Sequence, residues 1–283
     1  MQKIVETIPG ANKSELARVM GISRAMLYYK HKRPAVDEEV KKQIESVLTD
    51  NPSYGHKRIA IELKLNKKRI LRVMKIFKIK PYRRRLSKPR KKGDEGKPLS
   101  RFKNEIEKFC PIKANIVWVS DFTFIKFQNR FIYLATIMDL YTREIIGWNI
   151  SRYHTKELVL GAFLDAMERT KTVPVYLHSD QGSEYDSAEY ITLAKRYHII
   201  ISNSRKSHPW ENGYLESFYS NFKVDLGDVS RFEELGELIE AIHNTIHYYN
   251  HKRIHSKLKM SPVKFKLKNQ RISREYVSKE MGT

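Results

Sequence analysis

The strongest constraint on the fold is a change of period near Ala114. Before it, apolar residues recur at helical spacing. After it they alternate in three runs, Ile116 to Phe127, Phe131 to Leu140 and Glu144 to Ile150. Short turns at Gln128-Asn129-Arg130 and Tyr141-Thr142-Arg143 join these runs, which predicts a three-stranded antiparallel meander. Helical spacing returns over Thr155 to Thr170, where Leu158, Val159, Ala162, Phe163 and Ala166 share one face. A strand is expected at Pro174 to Ser179, a helix from Ser187 to Tyr197, a short strand at Ile199 to Ile201 and a helix from Glu211 to Leu226. The order β-β-β-α-β-α-β-α describes an α/β core, a mixed five-stranded sheet flanked by helices. Its expected bounds are residues 114–228, with a helical extension over 229–283.

Two of the predicted strands are interrupted by, or end in, a carboxylate. Asp121 breaks the apolar run Trp118-Val119-Ser120-Asp121-Phe122-Thr123-Phe124, and Asp180 follows Pro174-Val175-Tyr176-Leu177-His178-Ser179. Glu216 lies 36 positions after Asp180, on the last predicted helix of the core. A buried carboxylate is costly unless it is paired, hydrogen-bonded or bound to a metal. If the first and fourth strands are neighbours, the two aspartates meet at one edge of the sheet and the helix can bring Glu216 over them. Such hard oxygen ligands suit Mg²⁺, or Mn²⁺, and two ions about 4 Å apart would clamp an in-line displacement at phosphorus.

The front of the chain differs in charge. The formal charge is +22, and residues 1–100 carry 27 Lys and Arg against 10 Asp and Glu. A net +17 in the first third points to a polyanion, most often nucleic acid. Asn12 to Lys30 reads as helix, Gly21 turn, helix, the spacing of a helix-turn-helix that offers Arg24 and Tyr28 to a groove; an ordinary helical hairpin is the alternative. Arg33-Pro34 is expected to be a linker, and Asp37 to Leu48 an amphipathic helix with acids in its first turn. A second all-α module over residues 36–80 ends in a helix whose polar side carries Lys67, Lys68, Arg69, Arg72 and Lys75. Pro81 to Lys92 holds seven Lys or Arg in twelve residues, among them Arg83, Arg84, Arg85, Arg90, Lys91 and Lys92. It reads as the start of a basic linker over 81–113 that lies along phosphates. The expected plan is helix-turn-helix at 1–33, second module at 36–80, linker, core and extension. Cys110 is the only cysteine, which excludes an intrachain disulfide and a cysteine-based zinc site. With no apolar run long enough to span a membrane, the expectation is a soluble, cytoplasmic, nucleoid-associated protein.

Several motifs together resemble a known family. Trp118 to Thr123, Tyr133 to Leu140, Arg143 to Trp148, His178-Ser179-Asp180-Gln181-Gly182-Ser183-Glu184-Tyr185, Glu211-Asn212-Gly213 to Lys223, and the tail Tyr249-Asn250 to Arg253, His255 and Ser261-Pro262 resemble OrfB-type transposases of the IS-three family of insertion sequences. The resemblance implies a ribonuclease H-like, integrase-type catalytic core in which Asp121, Asp180 and Glu216 are the catalytic metal ligands. It implies DNA cleavage and strand transfer at terminal inverted repeats, a homo-oligomer on DNA, and an upstream-frame OrfA product as a further partner. Lys223, seven residues after Glu216 and on the same helix face, matches the family's DNA-contacting basic residue. Asn212, one turn before Glu216, is placed near the site with it. Gln181 stands where relatives often carry Arg, and Trp210-Glu211 where Tyr-Asp is usual.

Other polar residues have blander readings. Asp139 falls at a turn, where capping is the usual role. His178 could position a water, although a packed, hydrogen-bonded histidine is the commoner case. His247, His251 and His255 recur every four residues, as a metal face would, but a polar stripe near DNA accounts for them without a missing carboxylate or Cys. An inactive DNA-binding regulator and a structure-specific nuclease are the competing functions.

Overall fold

The computed structural model describes residues 12–21, 23, 24, 33–83, 101–107, 111–205 and 212–270. The described residues form two compact units: those up to Asp50 with Ile59–Lys80, and Asn51–Arg58 with those from Pro81 onward.

In the first unit, α1 (Lys13–Val19) is capped by Asn12, whose side chain accepts from the Ser14 amide. It buries Ala17 and leaves Val19 exposed. Gly21 follows at φ +61°, the left-handed conformation that ends the helix. The second helix of the expected helix-turn-helix, with Tyr28, lies outside the described residues. Helix α2 (Arg33–Asp50) corrects the expected linker. Pro34 stands in its first turn, where a missing amide costs nothing, so the helix starts at Arg33 and the acids fall beyond the first turn. Val40, Ile44 and Val47 recur on its buried side. They share this unit with α4 (Lys67–Ile76), which buries Ile70, Val73 and Met74 and is capped by Asn66. A buried Asp37 pairs with Arg72 across the two helices. Arg72 is therefore already engaged, whereas Lys67 and Lys68 stand exposed in the first turn of α4. Helix α3 (His56–Glu62) begins in the second unit and ends in the first.

The second unit is built on the meander. Strands β1 (Val117–Phe127), β2 (Arg130–Asp139) and β3 (Ile145–Ser151) pair antiparallel, and β4 (Tyr176–Ser179) and β5 (Ile200–Asn203) continue the sheet in parallel. The spatial order β3-β2-β1-β4-β5 makes β1 the centre and β4 its neighbour. Alternation divides β1 between two cores. Val117, Val119, Ile125 and Phe127 face the side covered by α7 (Gly213–Leu226) and α8 (Leu235–His251). Trp118 faces the side of α5 (Lys156–Thr170) and α6 (Ala188–Arg196). The extension expected after 228 thus contributes Leu238, Ile242, Ile246 and Tyr249 to the main core. Residues 262–270 are helical, α9.

Long-range polar ties hold the parts that periodicity does not. The buried Asn250 accepts from the Ile145 amide at 2.9 Å and donates to the Ile145 carbonyl at 2.8 Å, so it clasps the first residue of the edge strand β3. Tyr54 accepts from the Ile254 amide at 2.7 Å, and Arg58 donates to the Ile254 carbonyl at 2.9 Å. Residues 51–58 are joined in this way to the end of α8. No helix among the described residues is long and apolar enough to cross a membrane.

Candidate active site

The sheet places the two aspartates. In the parallel pair, Val119 stands opposite His178, so two residues further on the register brings Asp121 level with Asp180, just past the end of β4. Asp121 shares its parity along β1 with Val119 and Ile125, the residues that face α7. The helix is tied to the same point of the strand. Tyr219 donates to the Asp121 carbonyl at 2.6 Å and meets the Thr136 hydroxyl at 2.8 Å. Asn212 Nδ2 reaches the Ser120 carbonyl at 3.4 Å. Glu216, one turn before Tyr219, is exposed in the first turn of α7.

Burial and then the charge of Asp180 push the Asp121 carboxyl up to about 8, Glu216 adds to the rise, and a 2.8 Å bond from the Phe122 amide opposes it. The carboxylates do not close on a common point: among the described residues no group of three His, Cys, Asp or Glu is placed to hold a metal ion. Asp180 Oδ1 accepts from the Gly182 amide at 3.1 Å. A Cβ on Gly182 would lie 2.5 Å from Glu184 Oε2 and 3.2 Å from Asp180 Oδ1, so a larger residue here would press on both acids.

Residues that sequence reasoning missed stand behind the acids. Burial, with Asp180 and Asp121, holds the Tyr185 phenol well above its ordinary value, and burial with Asp121 does the same to Tyr219. Both remain protonated donors; Tyr185 meets the Ser120 hydroxyl at 3.1 Å. Glu184 pairs with His154 at 2.9 Å, and the His154 ring lies against Phe122 and Tyr133. Tyr219 carried one legible signal, its position one turn after Glu216.

The other expected residues divide clearly. Lys223 is half-buried, its ammonium 5.1 Å from the centre of the Phe124 ring, and Phe124 is exposed. Asn212 is buried and serves as a helix-to-strand tie. Gln181 donates to the Ser204 carbonyl at 2.8 Å. Arg24 is exposed, and Arg69 is half-buried. Arg83 spends one nitrogen on the carbonyls of Ser53 and Tyr82. Arg84, Arg85, Arg90, Lys91, Lys92, Trp210 and Glu211 lie outside the described residues. Asp139 caps its turn, accepting from the amides of Asn115, Tyr141 and Thr142. His178 is buried, with Nδ1 2.9 Å from the Ser202 hydroxyl. His247 and His251 stack at 4.3 Å, and burial with His247 lowers His251.

Comparison with known proteins gives a consistent result. The integrase core domain matches over residues 111–209, and a second model, also described as an integrase core domain, over 197–262. The transposase for insertion sequence element IS904 of Lactococcus lactis is 32% identical over 249 residues, covering 81% of this chain and 94% of that protein. A 31 kDa protein of insertion element IS600 of Shigella sonnei is 30% identical over 269 residues, covering 89% and 98%. Among solved structures, a simian T-cell lymphotropic virus intasome in complex with a PP2A regulatory subunit matches with a TM-score of 0.50 at 14% identity, over 79% of this chain and 74% of that one. That likeness is one of fold, the ribonuclease H-like sheet.

Proposed function

Because the chain belongs to the IS3-family transposases of bacterial insertion sequences, with their integrase core, we propose that it cuts DNA at the terminal inverted repeats of its element and joins the freed end to a second site. The observation that carries this reading is the register that brings Asp121 level with Asp180 at the end of β4, beside the helix that bears Glu216 and is tied to the Asp121 carbonyl, with burial and these two charges raising the Asp121 carboxyl to about 8. A donor set of hard oxygens that repel one another is the kind that a divalent cation deprotonates and draws together. Asp121, Asp180 and Glu216 would hold Mg²⁺ or Mn²⁺, two ions in the full site, and the metal would supply a Lewis acid at phosphorus and a deprotonated water.

The protein's own groups do the positioning. Tyr219 and Asn212 fix the angle at which α7 presents Glu216. Gly182 gives Asp180 its amide without crowding it. Lys223, seven residues from Glu216 on the same helix, neutralises a phosphate beside the cut. The exposed Lys67 and Lys68 at the start of α4, where the helix dipole disfavours cations, suit a phosphate ligand in the recognition part, residues 1–92. The intasome neighbour is an assembly, and a homo-oligomer that pairs two element ends follows the same logic; an upstream-frame OrfA product is a further partner.

The test is cleavage by the full chain of a duplex that carries the repeats flanking its gene. The expected result is one strand nicked at the element's end in Mg²⁺, leaving a 3′-hydroxyl, and no cut in EDTA. Binding of that duplex without any cut in Mg²⁺ favours the inactive regulator; cuts at branched DNA regardless of sequence favour the nuclease.

A further inference from the structure

The turn between β2 and β3, the end of α8 and the segment before α9 gather cations that the proposed chemistry does not use. Burial first, and then the guanidiniums of Arg143, Arg58 and Arg253, hold the His255 imidazole down at about 4. The same three arginines act on Tyr249. Arg253 is neutralised: buried, it pairs with Asp225 and donates to Asn221 at 2.8 Å. Arg58 gives its Nε to the Ile254 carbonyl.

Arg143 differs from both. It is 7% exposed, its backbone is left-handed at φ +63°, and its guanidinium lies 4.0 Å from the centre of the Tyr214 ring. Among the described residues it has no carboxylate partner, and its buried Nη1 has no hydrogen-bond partner. His255 Nδ1 and the hydroxyl of the fully buried Ser261 are also buried and have no hydrogen-bond partner among the described residues. The chain holds these groups in one region. His255 donates its amide to the Met260 carbonyl at 3.0 Å, one residue before Ser261. The Arg143 turn rests on α9 through the Tyr141 and Phe265 rings, 5.4 Å apart, and the 2.8 Å pair of Glu144 with Lys266. Ser261 stands at the start of that helix without using its hydroxyl to cap it.

An uncompensated guanidinium out of water is costly, and a left-handed non-glycine residue adds to the cost. We infer that Arg143, His255 and Ser261, with Arg58 beside them, form a phosphate-binding site that takes a backbone phosphodiester of the DNA, distinct from the one being cut. The inference rests on the reading of the chain as a DNA transposase. A guanidinium fork, an imidazole and a hydroxyl offer the spread of hydrogen bonds that an oxyanion accepts. The site runs alongside the helix that carries Glu216: Tyr214, exposed at 43% and two residues before Glu216, is the ring against Arg143.

The full chain and Arg143→Met are compared for binding of a fluorescein-labelled DNA duplex over a range of salt concentrations, and for thermal stability. The variant is expected to bind roughly five- to tenfold more weakly at low salt, with a log Kobs against log salt slope shallower by about 0.9, one phosphate contact. Its Tm should equal or exceed that of the wild type, because a buried unpaired charge has gone. His255→Gln, which removes no charge at neutral pH, should weaken binding with the slope unchanged. An unchanged affinity and slope in Arg143→Met overturn the inference. A lowered Tm overturns it too, by giving the guanidinium a packing role. If inorganic phosphate raises the Tm of the wild type but not of the variant while the DNA slope stays the same, the site holds a free ion and the DNA assignment falls. A wild type that binds no DNA defeats the transposase reading instead.

Discussion

Glu216→Gln is expected to lower Mg²⁺-dependent cleavage and strand transfer by more than about a thousandfold, roughly 4 kcal/mol of barrier. Affinity for the same DNA should stay within about twofold, since the side chain is exposed. The substitution keeps the side chain's shape but replaces one anionic, accepting oxygen with a neutral, donating amide nitrogen. Single-turnover cleavage and an anisotropy titration on one duplex separate the two quantities. Cleavage by the variant within tenfold of the wild type would remove Glu216 from the metal site and leave the two aspartates without their proposed third partner.

Asp121→Asn is expected to destroy cleavage as well, and to stabilise the metal-free protein in a pH-dependent way. The folded-state value near 8 lies above the ordinary aspartate value of 3.8. Between those pH values the folded chain therefore holds a proton that the unfolded chain has lost, and stability falls as pH rises through that window. Asparagine removes this dependence. In EDTA the variant should gain on the wild type from pH 4 to pH 8, reaching on the order of 2 kcal/mol, a figure reduced because Asp121 is partly exposed. Mg²⁺ should narrow the gap by stabilising only the wild type. Parallel melting curves from pH 4 to 8 in EDTA would show that Asp121 ionises freely and is not pressed by its neighbours.

The core was readable from the sequence because its elements are periodic. Alternation at period two marked β1 to β3, and short turns forced them to be neighbours; β4 then joined β1 in parallel, with Asp121 and Asp180 level across the pair. What was not readable depends on single side chains acting over long separations. Asn250 clasps Ile145 across 105 positions, and Tyr219 reaches Asp121 across 98. No local pattern encodes such a tie. Arg33-Pro34 reads as a linker in the sequence yet opens α2, because proline is both a breaker within helices and a favoured opener of them. Arg72 looked like one of a row of basic residues, and only packing shows that a buried Asp37 holds it. Asn212 lay one turn from Glu216, but its placement depends on which side of α7 meets β1. The two aspartates stood out because one breaks and the other follows an apolar strand, whereas Tyr219, which ties α7 to β1, merges with the aromatic core.

Asp121, Asp180 and Glu216 are proposed to share one divalent-metal site. Its most direct measurement is Mn²⁺ titration followed by electron paramagnetic resonance, on the wild-type chain and on Asp121→Asn, Asp180→Asn and Glu216→Gln. Each single substitution is expected to weaken or remove the same bound Mn²⁺, and Mg²⁺ to displace it from the wild type. Wild-type Mn²⁺ binding retained by all three variants would contradict it.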